Sequence, residues 1–103
     1  MDRLEELKKM LDENPSDNFI IYAMALEHAN MQHVDEAILL LNQLLQRDPE
    51  YLAAYYQLGK FYEMKQDAVN ASVIYSKGME VAKQKKDQRT LNELKSALEM
   101  LDE

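Results

Sequence analysis

The two histidines are the side chains in this sequence best suited to metal binding or proton transfer. His28 and His33 are five residues apart, and the residues between them read as a turn. A metal-binding pair on a helix is spaced by four residues, so that both imidazoles lie on one face. We therefore predict no metal site here and expect His28 to be a packing residue.

The acidic pairs and the glycine content give no support for catalysis. Glu5-Glu6 and Asp35-Glu36 are adjacent in sequence and lack the apolar surroundings that would raise a carboxyl pKa for acid–base work. With two glycines and no cysteine, the chain has no phosphate loop, nucleophile elbow or thiolate site. We predict a protein that is not an enzyme and binds no cofactor.

The charge of the chain limits its partners. Its 103 residues fit one domain, and 19 Asp and Glu against 12 Lys and Arg give a net charge of -7. Such a chain is repelled by nucleic acid and by anionic membrane surfaces, so we predict neither as a partner. No apolar stretch approaches the ~18 residues of a membrane span. Residues 1–6 are charged where a signal peptide is apolar, so we expect a cytoplasmic location.

The sequence repeats with a period of 34 residues. Pro15 and Pro49 are 34 residues apart, and each follows a helix-capping residue, Asn14 or Asp48. This combination predicts a helix start with proline in the first turn. The same offset aligns further pairs, which together predict an internal repeat: Tyr22 with Tyr56, Ala25 with Gly59, Ala37 with Ala71, and Leu41 with Tyr75.

Apolar spacing predicts two helices in each repeat. The first pair covers about 19–31 and 34–47, and the second covers 51–65 and 68–85. Small residues at the aligned positions allow paired helices to approach closely. Two further apolar stripes predict a helix at each end of the chain, for a total of about six: Leu4, Leu7, Met10 and Leu11, and Leu91, Leu94, Leu98 and Leu101. Met10 and Met24 are assigned to the core, and Met31 and Met64 to exposed positions.

The two units resemble the tetratricopeptide repeat. The second unit carries the pattern at Tyr55, Leu58, Gly59, Tyr62, Ala71, Tyr75 and Gly78, with Lys83 where the closing proline would stand. The first is looser, with His28 in place of the tyrosine, and matches at Ile21, Met24, Ala25, Ala37, Leu41, Leu44 and Pro49. The resemblance implies one all-α domain over residues 1–103, a right-handed superhelix of antiparallel helix hairpins. We divide it into an N-terminal capping helix (1–14), two repeats (18–51 and 52–85) and a C-terminal capping helix (87–102).

The resemblance also implies a function. In this family the first helix of each pair lines a concave groove that holds a segment of another protein. The chain is therefore expected to be a scaffold or adaptor for a protein or peptide partner, bound by Phe19, Tyr22, Leu26, Asn30, Tyr56, Lys60 and Met64. Tyr22 and Tyr56 could form an aromatic ladder in the groove or pack between helices; the two are not exclusive, and the sequence leaves both open. The family's clamp for chaperone C-termini needs Lys and Asn at positions held here by Tyr22 and Leu26, so we predict no binding to such tails.

Self-association is the alternative function. Apolar stripes on the end helices could join copies of the chain into a homo-oligomer through Leu91, Leu98 and Leu101. The protein would then be a structural module without a groove ligand.

Overall fold

The computed structural model describes residues 2–101, which form six helices. They are α1 (Arg3–Glu13), α2 (Asn18–Asn30), α3 (Val34–Arg47), α4 (Leu52–Met64), α5 (Ala68–Gln84) and α6 (Gln88–Leu101). No strand occurs among these residues, and the predicted all-α fold of about six helices is confirmed. Residue 1, which begins the predicted N-terminal capping helix, residue 102, which ends the predicted C-terminal one, and residue 103 lie outside the described residues. The division into repeats and caps stays a prediction.

Each helix packs against the next one in the chain, and α4 also contacts α6. This order produces a stack of antiparallel pairs. The main core runs through α2 to α6, and its largest fully buried side chains are Leu41, Leu44, Leu58, Tyr75 and Leu94. A smaller cluster closes α1 against α2 through Leu4, Leu7, Ile20 and Met24.

The small residues lie where paired helices approach most closely. Ala25, Ala37 and Ala71 are fully buried. A Cβ added at Gly59 would overlap the ring of Tyr75 on α5, so any larger residue on α4 would push the pair apart. The physical reason predicted for these small residues therefore holds at Gly59.

The two prolines do not begin helices, and this prediction was wrong. Asn14 is the C-cap of α1, and Asp48 is the C-cap of α3. Proline lacks an N–H and disfavours helical backbone at the residue before it, so each proline follows the end of a helix. The next helix, α2, starts three residues later, where the Asp17 carboxylate accepts hydrogen bonds from the N–H groups of Phe19 (2.9 Å) and Ile20 (3.3 Å).

Three helices end in the same type of backbone turn. Gln32, Gln66 and Lys86 follow α2, α4 and α5 with φ of 67°, 59° and 58°. After each, the next N–H bonds back to a carbonyl five residues earlier, as from Asp67 to Tyr62 at 2.9 Å. This left-handed cap satisfies the last carbonyls of the helix and turns the chain sharply. It sets how each helix leads into the next.

Candidate partner-binding site

The seven residues predicted to contact a partner lie on α2 and α4, but the structure divides them between two cavities. The four on α2 line a cavity of about 380 Å³. We call it the α2 trough, and it is lined by Arg3, Phe19, Tyr22, Ala23, Leu26, Glu27 and Asn30. Tyr56 and Lys60 line a separate cavity of about 570 Å³ between α4 and α6. We call it the α4–α6 cleft, and it is completed by Asn92, Glu93, Ser96, Ala97 and Met100. Met64 lines neither cavity and is 51% exposed.

Tyr22 fills the space between α2 and α4. Its ring packs on that of Tyr51, with centroids 5.5 Å apart at an angle of 43°. Burial raises the pKa of the Tyr22 hydroxyl, and the nearby Gln57 side chain acts in the opposite direction. The ring of Tyr56 instead packs at 6.4 Å from that of Tyr75. Tyr22 and Tyr56 therefore have different ring partners, and each packs between helices while lining a cavity.

Lys60 supplies a fixed positive charge in the α4–α6 cleft. Its ammonium lies 5.4 Å from the centroid of the Tyr56 ring and 3.7 Å from the carboxylate of Glu63. An ammonium over an aromatic face is attracted by the electrons of the ring. The cleft thus combines apolar surface from Tyr56, Ala97 and Met100 with one cation, Lys60, and one carboxylate, Glu93.

Glu63 does not line the cleft but contacts Lys60, and its role was not predicted from the sequence. The ring of Tyr75 is fully buried, and its hydroxyl donates a hydrogen bond to the Glu63 carboxylate. Burial, together with this carboxylate, raises the pKa of Tyr75 well above its usual range. The Glu63 carboxylate therefore links the core to Lys60. The spacing of Lys60 and Glu63 by three residues was the signal available in the sequence.

The α2 trough exposes apolar side chains. Phe19 at the start of α2 is 66% exposed. Met10, predicted to be a core residue, is 47% exposed, so that prediction was wrong. Met10 is seven residues after Arg3 and shares its face of α1, which borders the trough. A side chain on this face would be covered only by a further helix in front of α1 and α2.

The histidines come closer together than their spacing suggested. The turn between α2 and α3 brings the rings of His28 and His33 to 5.8 Å between centroids. Burial is the main cause that lowers the pKa of His28, and its Nδ1 atom is buried without a hydrogen-bond partner. Across residues 2–101, no group of three or more potential metal-ligating side chains occurs.

The leucine stripe of α6 is largely used within the chain. Leu94 is fully buried, and Leu98 and Leu101 pack against the main core. Leu91 is half-buried. Self-association through Leu91, Leu98 and Leu101 stays a prediction. None of the described helices is both long enough and apolar enough to span a membrane.

Comparison with protein-family models and with curated proteins gives no match to this chain. Among solved structures, the solution NMR structure of a tetratricopeptide repeat domain protein from Salinibacter ruber is similar to this chain. The two have 37% sequence identity and a TM-score of 0.81, over 84% of this chain and 88% of that one. A crystal structure from the same organism gives 36% identity and a TM-score of 0.78 over 84% and 97% of the two chains. A protein from Bordetella parapertussis is 25% identical, with a TM-score of 0.87 over 99% of this chain and 89% of its own.

These similarities agree with the six stacked helices and with the sequence pattern of the two units. Two of them cover 84% of this chain at 36–37% identity to a tetratricopeptide repeat domain. The chain belongs to the tetratricopeptide-repeat family, and its fold is a right-handed superhelix of antiparallel helix hairpins.

Proposed function

We propose that the protein is an interaction scaffold whose concave face holds a segment of a partner protein. The observation that carries this proposal is the α4–α6 cleft, a cavity of about 570 Å³ between the first helix of the second repeat and the last helix of the described chain. Helical-repeat proteins of this family usually mediate protein–protein interaction. The proposed contact residues in the cleft are Tyr56 and Lys60, with Met64 beside it.

The chemistry of the cleft suits a peptide segment. Tyr56 and Met100 offer apolar contact area; a tyrosine loses little rotamer entropy on binding, and a methionine adapts to different shapes. Asn92 and Ser96 place an amide and a hydroxyl on the opposite wall, where they can bond to a peptide backbone. Lys60 and Glu93 offer an ammonium and a carboxylate to charged groups of the partner. These features favour a bound peptide over a small apolar ligand.

The α2 trough extends the proposed surface. Phe19, Tyr22, Leu26 and Asn30 face it, so a long partner could contact both cavities. A cytoplasmic location also remains part of this proposal.

The proposal is tested by blocking the cleft without disturbing the core. Ser96 is exposed, and Ser96→Arg would fill the cleft with a long side chain. Ser76→Arg is a matched control, since Ser76 is also exposed but lies on α5 outside the cleft. Immobilised wild-type protein and both variants are used to capture proteins from a lysate of the native cells, with quantification by mass spectrometry.

We expect partners that the wild type and Ser76→Arg retain and that Ser96→Arg loses. Circular dichroism checks that all three proteins are folded. If folded Ser96→Arg captures the same proteins in the same amounts, the cleft is not the binding site and the proposal fails.

A further inference from the structure

The α2 trough and the α4–α6 cleft are built on the same helix face. The cleft uses five residues of α6, and each lies 70 positions after a trough residue of α2. The pairs are Tyr22 with Asn92, Ala23 with Glu93, Leu26 with Ser96, Glu27 with Ala97, and Asn30 with Met100. The face of α2 that lines the trough therefore corresponds to the face of α6 that looks toward α4.

The two faces differ in what stands opposite them. On α6 the face meets Tyr56 and Lys60 of α4. On α2 no first helix precedes it within the described residues, and only Arg3 of α1 reaches the trough. This difference accounts for the exposure of Met10, because Leu44 and Gly78, which lie 34 and 68 positions later on helices packed against α2 and α4, are buried. The trough is thus a position for one more helix.

The N-terminal third of the chain, which contains this position, is strongly negative. Residues 2–36 carry nine Asp and Glu against three Lys and Arg, so they hold six of the seven net negative charges of the chain. Glu27 and Arg3 both line the trough, and Glu6 is exposed on α1 between Arg3 and Met10. A helix that carries basic residues beside an apolar stripe would match this surface.

We propose that the α2 trough binds a basic amphipathic helix of a partner protein, in the position that α4 occupies opposite α6. This inference rests on the proposed function in that the partner is a protein, but it uses a different cavity. The segment from Phe19 to Asn30 is about 17 Å long at the helical rise, so three turns of a partner helix would cover it. Apolar residues of the partner at i, i+4 and i+7 would contact Phe19, Ala23 and Leu26, and flanking Lys or Arg would meet Glu27.

A second copy of this chain fits the trough poorly. The outward face of α6 is polar, with Lys95 and Glu99 both exposed. The net charge of -7 makes two copies repel each other. The occupant that suits the surface is a different, basic protein.

Two synthetic helical peptides test the inference. Each has about 18 residues, because shorter helices are unstable alone. Both share one apolar stripe of Leu and Ala and a single Trp, and they differ only in carrying Lys or Glu on the polar face. Since the protein has no tryptophan, the fluorescence of the peptide reports binding directly.

We expect the Lys peptide to bind at least tenfold more tightly than the Glu peptide, with an affinity that falls as salt is added. Phe19→Ala and Glu27→Lys should each weaken the Lys peptide about tenfold. Phe19 is largely exposed, so its replacement leaves the fold intact, and Glu27→Lys gives an independent second variant. The cleft variant Ser96→Arg should bind the Lys peptide as the wild type does.

Three results would overturn the inference. They are equal binding of the two peptides, no binding of the Lys peptide at about 1 mM, and no effect of either trough variant. If Ser96→Arg loses binding of the Lys peptide while both trough variants keep it, the peptide binds in the cleft. That result would contradict this inference and support the proposed function. If Ser96→Arg captures the same partners as the wild type while the peptide results are as expected, the proposed function fails and this inference stands.

Discussion

Replacement of Gly59 by alanine should destabilise the protein, although alanine is the better helix former. Gly59 lies within α4, and a Cβ there would be 2.6 Å from Cδ1 of Tyr75, with neighbouring ring carbons closer still. Carbon atoms prefer about 3.5–4.0 Å. The Tyr75 ring is fully buried and its hydroxyl bonds to Glu63. It cannot move away without loss of packing or of that hydrogen bond.

The size of the effect follows from two opposing contributions. Overpacking a rigid core site costs about 1–3 kcal/mol, and this overlap belongs at the upper end. Alanine recovers about 1 kcal/mol of helix propensity relative to glycine. The net loss in free energy of unfolding is therefore about 2 kcal/mol, which lowers Tm by roughly 8–16 °C in a domain of this size.

The first repeat suggests the matched control. There Ala25 and Leu41 hold the positions of Gly59 and Tyr75. In a Tyr75→Leu background the ring is gone, so Gly59→Ala should stabilise the protein by about 1 kcal/mol through helix propensity. Urea unfolding of the wild type, both single variants and the double variant would give a coupling energy of about 3 kcal/mol. If Gly59→Ala has the same sign and size in both backgrounds, the contact with Tyr75 does not explain the glycine.

Three further predictions concern local features of the helices. Gln32→Gly and Gln66→Gly should each raise the free energy of unfolding by about 0.5–1 kcal/mol, because both glutamines have positive φ; a lower stability in urea would contradict the left-handed cap. Burial lowers the pKa of His28 in the folded protein from 6.5. The unfolded state therefore binds a proton at His28 more tightly than the folded state does. The contribution of neutral His28 to stability is complete above pH 6.5 and is lost as the pH falls toward the lower pKa of the folded state. His28→Gln should remove this loss of Tm between pH 7 and 5. Hydrogen bonds from the backbone and side chains of Asn70 and Thr90 lower the pKa of Asp67 and Asp87 from 3.8. The two ionised carboxylates therefore contribute to stability above pH 3.8, and this contribution is lost as the pH falls below that value. The double variant Asp67→Asn, Asp87→Asn should show a smaller fall of Tm in that range, and an unchanged acid transition would contradict this.

The helices were predictable from the sequence because local spacing determines them. The predicted span 34–47 is that of α3, and the other helices differ by one or two residues at their ends. The helix starts predicted at the prolines were wrong because Asn-Pro and Asp-Pro suit both a helix start and the residues after a helix end. Only the backbone distinguishes the two. The exposed Asp17, three residues before Ile20, was the better signal for the N-cap of α2.

The site was less predictable because it depends on contacts between helices. The family resemblance implied one groove along the first helices, and the sequence left open whether Tyr22 and Tyr56 line it or pack between helices. In the structure, the ring of Tyr22 meets Tyr51 and closes the gap between α2 and α4. This contact leaves two cavities where one was expected. Met10 was placed in the core because it lies at the edge of an apolar stripe, and its exposure follows from the absence of a helix in front of it in the described chain.

In the second repeat, Gly59 connects the chemistry of the cleft with the packing of the core. Because Gly59 has no side chain, a tyrosine fits at position 75 where the first repeat has Leu41. The buried hydroxyl of Tyr75 then requires an acceptor, and the carboxylate of Glu63 provides it. Glu63 also lies within 4 Å of the Lys60 ammonium, so the position of this cation in the cleft depends on the glycine one residue before it. The first repeat has Leu26 and Leu41 at the corresponding positions and therefore no such charge. Tyr75→Phe should keep the ring packing but free Glu63 and Lys60, and a change in cleft binding without a large change in Tm would show that the core sets the charge presented to a partner.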